Sequence, residues 1–257
     1  MIRSMARSDP MPDWWQTPLS GAATHAISAD VAWHARLMVL AWGVMIPVGV
    51  LWARFWKVSP GQDWPRQLDR KTWWNAHRGL QITGFLVAIG ALALVWGRVA
   101  AGAAASLHHR LGWLVLAIGC AQVLHGLARG TKGGPTATTR SGDHFDMTLR
   151  RVVFERLHKS LGWVVVAAAV AAILSGLVAA DAPRWMLALL LLWWGLLVAA
   201  FVRWQRAGRA LDTYQAIWGT DPALPGNRRP PIGWGVVRHP GTTTKARVNG
   251  QDEREAG

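Results

Sequence analysis

The sequence predicts an all-α integral membrane fold, an antiparallel four-helix bundle with a fifth transmembrane helix beside it. Three observations carry that prediction: five apolar stretches of membrane-crossing length, basic residues confined to alternate connections, and a histidine at matched depth in each of the first four stretches. Of 257 residues, 51% are apolar and 18 are Trp, which a large soluble core would also allow, so the distribution of charge has to decide. Nearly uncharged segments recur at about Val31 to Ala53, Trp73 to Gly97, Leu107 to Leu127, Val152 to Val178 and Trp185 to Val202. Each is close to the roughly 20 residues that a helix needs to cross about 30 Å of hydrocarbon.

The flanks agree with spans. Trp33, Trp52, Trp56, Trp73, Trp74, Trp96, Trp185 and Trp204 stand at stretch ends, where an indole keeps its ring apolar and its N–H wet. A net charge of +14 would suit a nucleic-acid binder, but the basic residues are gathered in loops rather than striped along one helix face, so membrane lipid is the expected partner and no nucleic acid. Arg54, Lys57, Arg66, Arg70 and Lys71 join the first two stretches, Arg129 to Arg156 supply six more between the third and fourth, and a further set follows the fifth. The intervening flanks are poor in Lys and Arg. This alternation places the N-terminus outside and the C-terminus in the cytoplasm, as in a multi-pass protein of the inner (plasma) membrane.

Four regions are expected: an external N-terminal tail over 1–30, a four-helix core over 31–180, a fifth transmembrane helix over 183–204, and a cytoplasmic basic tail rich in Pro and Gly over 205–257. Residues 1–30 carry three prolines without apolar periodicity and resemble no cleaved signal. The stretch from Trp218 to Pro240 holds too many Pro and Gly residues for a helix, and either folds over the cytoplasmic mouth or meets a partner. Cys120 is alone, so no internal disulfide forms, and no Cys-x-x-Cys-His is present for covalent haem attachment.

One internal repeat is visible. Leu107-His-His-Arg-Leu-Gly-Trp113 and Leu157-His-Lys-Ser-Leu-Gly-Trp163 open successive helices with the same pattern, which points to one chemical task performed twice. His34, His77, His108 and His158 each sit a few residues inside the start of a span, where an unpaired polar group costs several kcal/mol and is a functional candidate by default. Consecutive antiparallel helices begin at opposite faces, so His34 meets His108 near the outer surface and His77 meets His158 near the inner one. Two neutral imidazoles from two helices are what a b-type haem requires, and the expected cofactors are therefore two haem b groups, their irons ligated by those pairs.

Room and charge for such groups can be read nearby. Gly112, Gly119 and Gly126 return to the His108 face, and Gly162, Ala169 and Gly176 to the His158 face, giving clefts of small side chains that would equally serve close helix packing. Arg36, Arg78, Arg110 and Lys159 follow the four histidines within two positions; they either meet haem propionates or reach to lipid phosphates. His109 points about 100° away from His108, and His125 reads as a structural histidine or as a contact of the inner haem or a substrate. His25, His144 and His239 fall in polar segments and are expected to be solvated.

At these residues the chain resembles the cytochrome b561 superfamily, in particular the membrane half of its DOMON-linked members. The likeness rests on His34-Ala-Arg-Leu-Met38 with Ala41-Trp-Gly43 and Pro47-Val-Gly49, on Trp74-Asn-Ala-His77, on Leu107 to Gly112 with Gln122-Val123, and on Leu157 to Gly162. It implies a dihaem core with the pairings already argued and one-electron transfer across the membrane between a donor and an acceptor. Quinol, an ascorbate-like reductant, ferric iron or a redox protein are the partner classes open at this point. No DOMON domain is expected ahead of the bundle. A homodimer or a place in a membrane complex is open as well, and two other readings compete: a non-enzymatic membrane subunit that anchors or organises a larger respiratory or photosynthetic complex, and a non-haem metal site like those of membrane di-iron enzymes. The latter needs carboxylates gathered on one side, which these helices lack.

Overall fold

The computed structural model describes residues 14–22, 26–98, 102–133 and 140–241, and these are helical with no strand beyond isolated bridges. Seven α-helices follow in order: α1 (Ala29–Phe55), α2 (Thr72–Ala93), α3 (Ala103–Leu127), α4 (Asp143–Asp146), α5 (Leu149–Ala179), α6 (Arg184–Arg206) and α7 (Thr213–Trp218). By length and composition α1, α3, α5 and α6 can each cross a membrane. Helix α2, at 22 residues, is slightly shorter than these and carries Asn75, His77, Arg78 and Gln81 in its first half. Two of those polar side chains are spent on α1: His77 and Gln81 both meet its backbone carbonyls.

Helices α1 and α2 pack along their length, α3 and α5 do the same, and α1 also touches α5. Trp42, Phe85, Val115 and Val165 meet near the middle of this bundle, with Ala88 and Ala169 allowing close approach. Helix α6 lies outside, with Leu190 its only buried residue and Leu189, Leu192, Leu196 and Val198 exposed. In a bilayer that face is wetted by lipid rather than water.

Helix α1 changes pitch midway, with a π-helical segment over Val39–Met45. Pro47 has no N–H to offer the carbonyl four residues before it, that of Gly43. The indoles of Trp193 and Trp194 on α6 both donate to the Gly43 oxygen, at 3.0 and 3.1 Å. The fifth helix is thereby tied to the one place in α1 where the backbone needs an outside partner.

The region expected as a C-terminal tail is folded as far as Gly241. Residues 210–220 are all buried, and Tyr214, Ile217 and Trp218 pack with Phe145 and Met147 against Trp73 and Val152. The Pro- and Gly-rich stretch holds no α-helix after Trp218, only a 3₁₀ turn over Pro225–Arg228, yet it closes over one end of the bundle. Arg54 and Gln205 bond the backbone of Trp234 and Gly235, and Lys159 bonds the carbonyl of Ile232. Arg238 organises the cap internally by reaching Asp212 and the carbonyls of Gly226, Asn227 and Arg229. Sequence periodicity missed this because the segment is held by such side-chain bonds rather than by an amphipathic repeat. At the other terminus, residues 14–22 lie on the α5–α6 turn, where Ser20 bonds Asp181 and Arg184 stacks on Trp14. Residues 1–13, with His25 and 242–257, are outside the described residues.

Candidate functional site

The bundle brings the four histidines together in two pairs. His34 and His108 have ring centroids 6.1 Å apart at an interplanar angle of 90°, and His77 and His158 are 6.3 Å apart at 85°. In three rings Nδ1 lies against a backbone carbonyl: His34 on Ala91 at 2.9 Å, His77 on Gly49 at 3.0 Å, and His108 on Ala172 at 2.8 Å. A carbonyl only accepts, so these Nδ1 atoms carry the protons and each Nε2 keeps its lone pair. His158 is held differently. Its Nδ1 is buried without a hydrogen-bond partner, and its ring stacks on Phe154 at 5.2 Å and 19°.

Those bonds also fix the separation of the layers. His77 to Ala91 on α2 is 14 residues, as are His108 to Gln122 on α3 and His158 to Ala172 on α5, the last two joined by the bond from Gln122 Nε2 to the His158 carbonyl. At 1.5 Å per residue this is about 21 Å. On α1 the same interval, His34 to Gly49, takes 15 residues, and the π segment lies within it. The extra residue is absorbed there, so both ends of α1 stay in phase with α2.

A b-type haem takes only two axial ligands from the protein. An imidazole nitrogen binds a first-row metal at about 2.0–2.1 Å and the ring centre lies about 1.2 Å behind it, so two rings holding one iron would have centres about 6.4–6.6 Å apart. Both pairs match that span, and the residues present fit the group. Among the described residues no cluster of three or more His, Cys, Asp or Glu gathers.

The glycines divide by role. A Cβ on Gly176 would stand 2.9 Å from His108 Cε1 and Nδ1, so that glycine seats the ligand ring. Gly162, expected to open a cleft below His158, instead faces Gln122 Nε2, 3.1 Å from where its Cβ would be. Gly119 receives the edges of Trp42 and Phe85, whereas Gly112 and Gly126 face open space. Gly49 gives Gln81 its place, since a Cβ would come within 2.6 Å of Gln81 Nε2.

Of the basic residues beside the histidines, Arg36, Arg78 and Arg110 are exposed, with Arg36 over the Trp33 ring. Lys159 is different. It bonds Glu155 at 2.7 Å and Ile232 O at 2.8 Å, so one of its three donors serves its own helix and another the cap. Glu155, buried one turn before His158, also takes Arg151 at 3.0 Å.

His144, expected to be solvated, is 1% exposed between Tyr214, Trp218 and Glu155. Burial, aided by the Arg151 charge, pushes its pKa down to about 3, so it is neutral at pH 7. Lys57 is likewise buried, bonded to the carbonyls of Arg54 and Leu211; burial and then Lys159 lower it to about 7. Sequence reasoning missed Gln81, Glu155 and His144. For the first two the signal was present, a polar side chain inside or beside an apolar run, while His144 sits in a segment whose burial depends on distant residues.

The model of the family described as eukaryotic cytochrome b561 matches residues 33–184, more than half of the chain. A cytochrome b561, DM13 and DOMON domain-containing protein of Arabidopsis thaliana is 27% identical over 99 residues, 38% of this chain and 10% of that protein. The chain thus aligns with about a tenth of that relative's length. No solved structure matches it.

Proposed function

This chain belongs to the cytochrome b561 family, and from that premise we propose that it is a dihaem b-type cytochrome passing single electrons across the membrane between a donor on one face and an acceptor on the other. The observation that supports this most is the pairing of four imidazoles, at 6.1 and 6.3 Å, on four helices of one bundle. His34 and His108 would hold one haem, His77 and His158 the other, and each haem when bound supplies one-electron redox chemistry between ferric and ferrous iron. The protein's part is to hold the four Nε2 atoms ready. The carbonyls of Ala91, Gly49 and Ala172 fix three tautomers and strengthen the rings as donors. Trp42, Phe85, Val115 and Val165 keep water out of the space between the layers.

The His77/His158 end carries the basic connections and the folded cap, which supports a cytoplasmic position for it and an outer position for His34/His108. Arg36, Arg78 and Arg110 are exposed donors for propionate oxygens at the two ends. The inner (plasma) membrane is the proposed location.

Purified chain assayed by pyridine haemochrome should contain two haems. His108→Ala should remove one and leave the other's reduced-minus-oxidised spectrum in place, and His158→Ala should do the converse. A haem content near zero, or loss of both haems from a variant whose helical circular dichroism is unchanged, would overturn the reading.

A further inference from the structure

A groove of about 390 Å³ opens where the end of α3 meets the start of α5, lined by His125, Ala128, Leu149, Arg150, Val153 and Phe154. Its size falls within the range of small-molecule sites, and its walls are mostly apolar. It opens toward lipid: Leu149 in its wall is 78% exposed, and Leu124 and Leu127, next in sequence to its lining residues His125 and Ala128, are 64% and 80% exposed. Its two polar groups differ in kind. Arg150 is pinned by its bond to Ala128 O at 3.1 Å, and His125 has an Nδ1 buried with no hydrogen-bond partner. An imidazole nitrogen left without a partner has unused hydrogen-bonding capacity in a place where bilayer water is scarce.

Phe154 forms the inner wall. Its ring stacks on His158 and stands 6.3 Å from His125, so a single aromatic ring separates the groove from a proposed axial ligand. A ligand suited to this place has an apolar tail that reaches it through lipid, a flat head to lie near Phe154, and oxygens for an imidazole and a guanidinium. We infer that the groove binds the head of a lipid-borne quinol, which gives its electrons to the haem of the His77/His158 pair. This rests on the dihaem reading and names a partner class for it. Oxidation of the quinol to the quinone would release two electrons and two protons; the haem that His77 and His158 would hold supplies a one-electron acceptor, which would take the electrons in turn and pass the first on before the second arrives, and the protons would go to water at the headgroup level.

The test uses the full haem-loaded chain in phosphatidylcholine nanodiscs with a photoreactive short-chain ubiquinone analogue, the labelled peptides being mapped by mass spectrometry. Label is expected on peptides containing His125 and Phe154. It should fall about tenfold in Ala128→Trp and in Val153→Trp, two separate ways of filling the groove, while both variants keep the parent haem spectrum. Excess unlabelled decylubiquinone should compete, and excess phosphatidylglycerol should not. Label elsewhere, label unchanged in both variants, or equal competition by phosphatidylglycerol, which marks Arg150 as a lipid-phosphate contact, would overturn the inference. A missing haemochrome signal would sink the dihaem reading and with it the redox role of the groove; loss of selective labelling with two haems present would sink the groove alone.

Discussion

Gly176→Ala is the sharpest probe of how His108 is held. The new methyl would stand 2.9 Å from His108 Cε1 and Nδ1, about half an ångström inside ordinary contact, and the ring has to move away from α5 to admit it. That movement stretches the 2.8 Å bond to Ala172, a loss of about 1 kcal/mol, and overpacking adds about 1–3 kcal/mol. Replacing a helical glycine by alanine returns at most about 1 kcal/mol, and less in the last turn of α5, leaving a net cost of at least about 1–3 kcal/mol centred on one ligand. A weakened Nδ1 bond makes the imidazole a poorer donor to ferric iron, so the midpoint potential of the His34/His108 haem should rise and its low-spin electron paramagnetic resonance signal should shift. The His77/His158 signal should stay where it was. Gly195→Ala on α6, where a Cβ meets nothing within 4 Å, is the control and should change neither. A change in both signals, or in the His77/His158 signal alone, would refute the assignment of Gly176 to the His108 seat.

Three further outcomes follow from the same structure. The cap should loosen in acid: His144 at about 3 when docked, against about 6.5 when released, means that release takes up a proton, so docking is strongest above pH 6.5 and weakens by up to about 1.4 kcal/mol per pH unit below it. Lys57, at about 7 against 10.5, acts in the same direction at higher pH, strengthening docking as pH rises from 7 toward 10.5; limited proteolysis between residues 207 and 241, run both below pH 6.5 and above pH 7, reads the two effects. Glu155→Gln leaves Arg151 and Lys159 without their shared carboxylate and should cost about 3 kcal/mol or more, seen as faster cleavage of the cap at pH 7.5. Trp193→Phe and Trp194→Phe should each cost about 1 kcal/mol of thermal stability while the other indole still serves Gly43, and the double variant should lose more than their sum. Additive losses would mean that the carbonyl does not need either indole.

The legible part of this molecule is the part written in periodic contrast. Histidine inside an apolar run is visible because hydrocarbon makes it costly, and depth alone pairs His34 with His108 and His77 with His158. Gly162 was legible only as a place of close approach, because a small residue does not say what approaches; in the fold the amide of Gln122 stands there. Lys159 was read by its neighbour in sequence, whereas its bonds run to Glu155 and to a carbonyl 73 residues on. His144 and the cap were beyond reach for a related reason. Their burial comes from contacts between segments far apart in the chain, and no local pattern records them.

The pitch change in α1 has an evolutionary consequence. Removing one residue between Val39 and Met45 would leave 14 between His34 and Gly49, the count on its neighbours, and let the helix run as ordinary α. Yet Gly43 would then be turned away from Trp193 and Trp194, and the outer helix would lose its mooring. Length drift in this span is therefore penalised from two directions at once, so substitutions should be tolerated there far more readily than insertions or deletions.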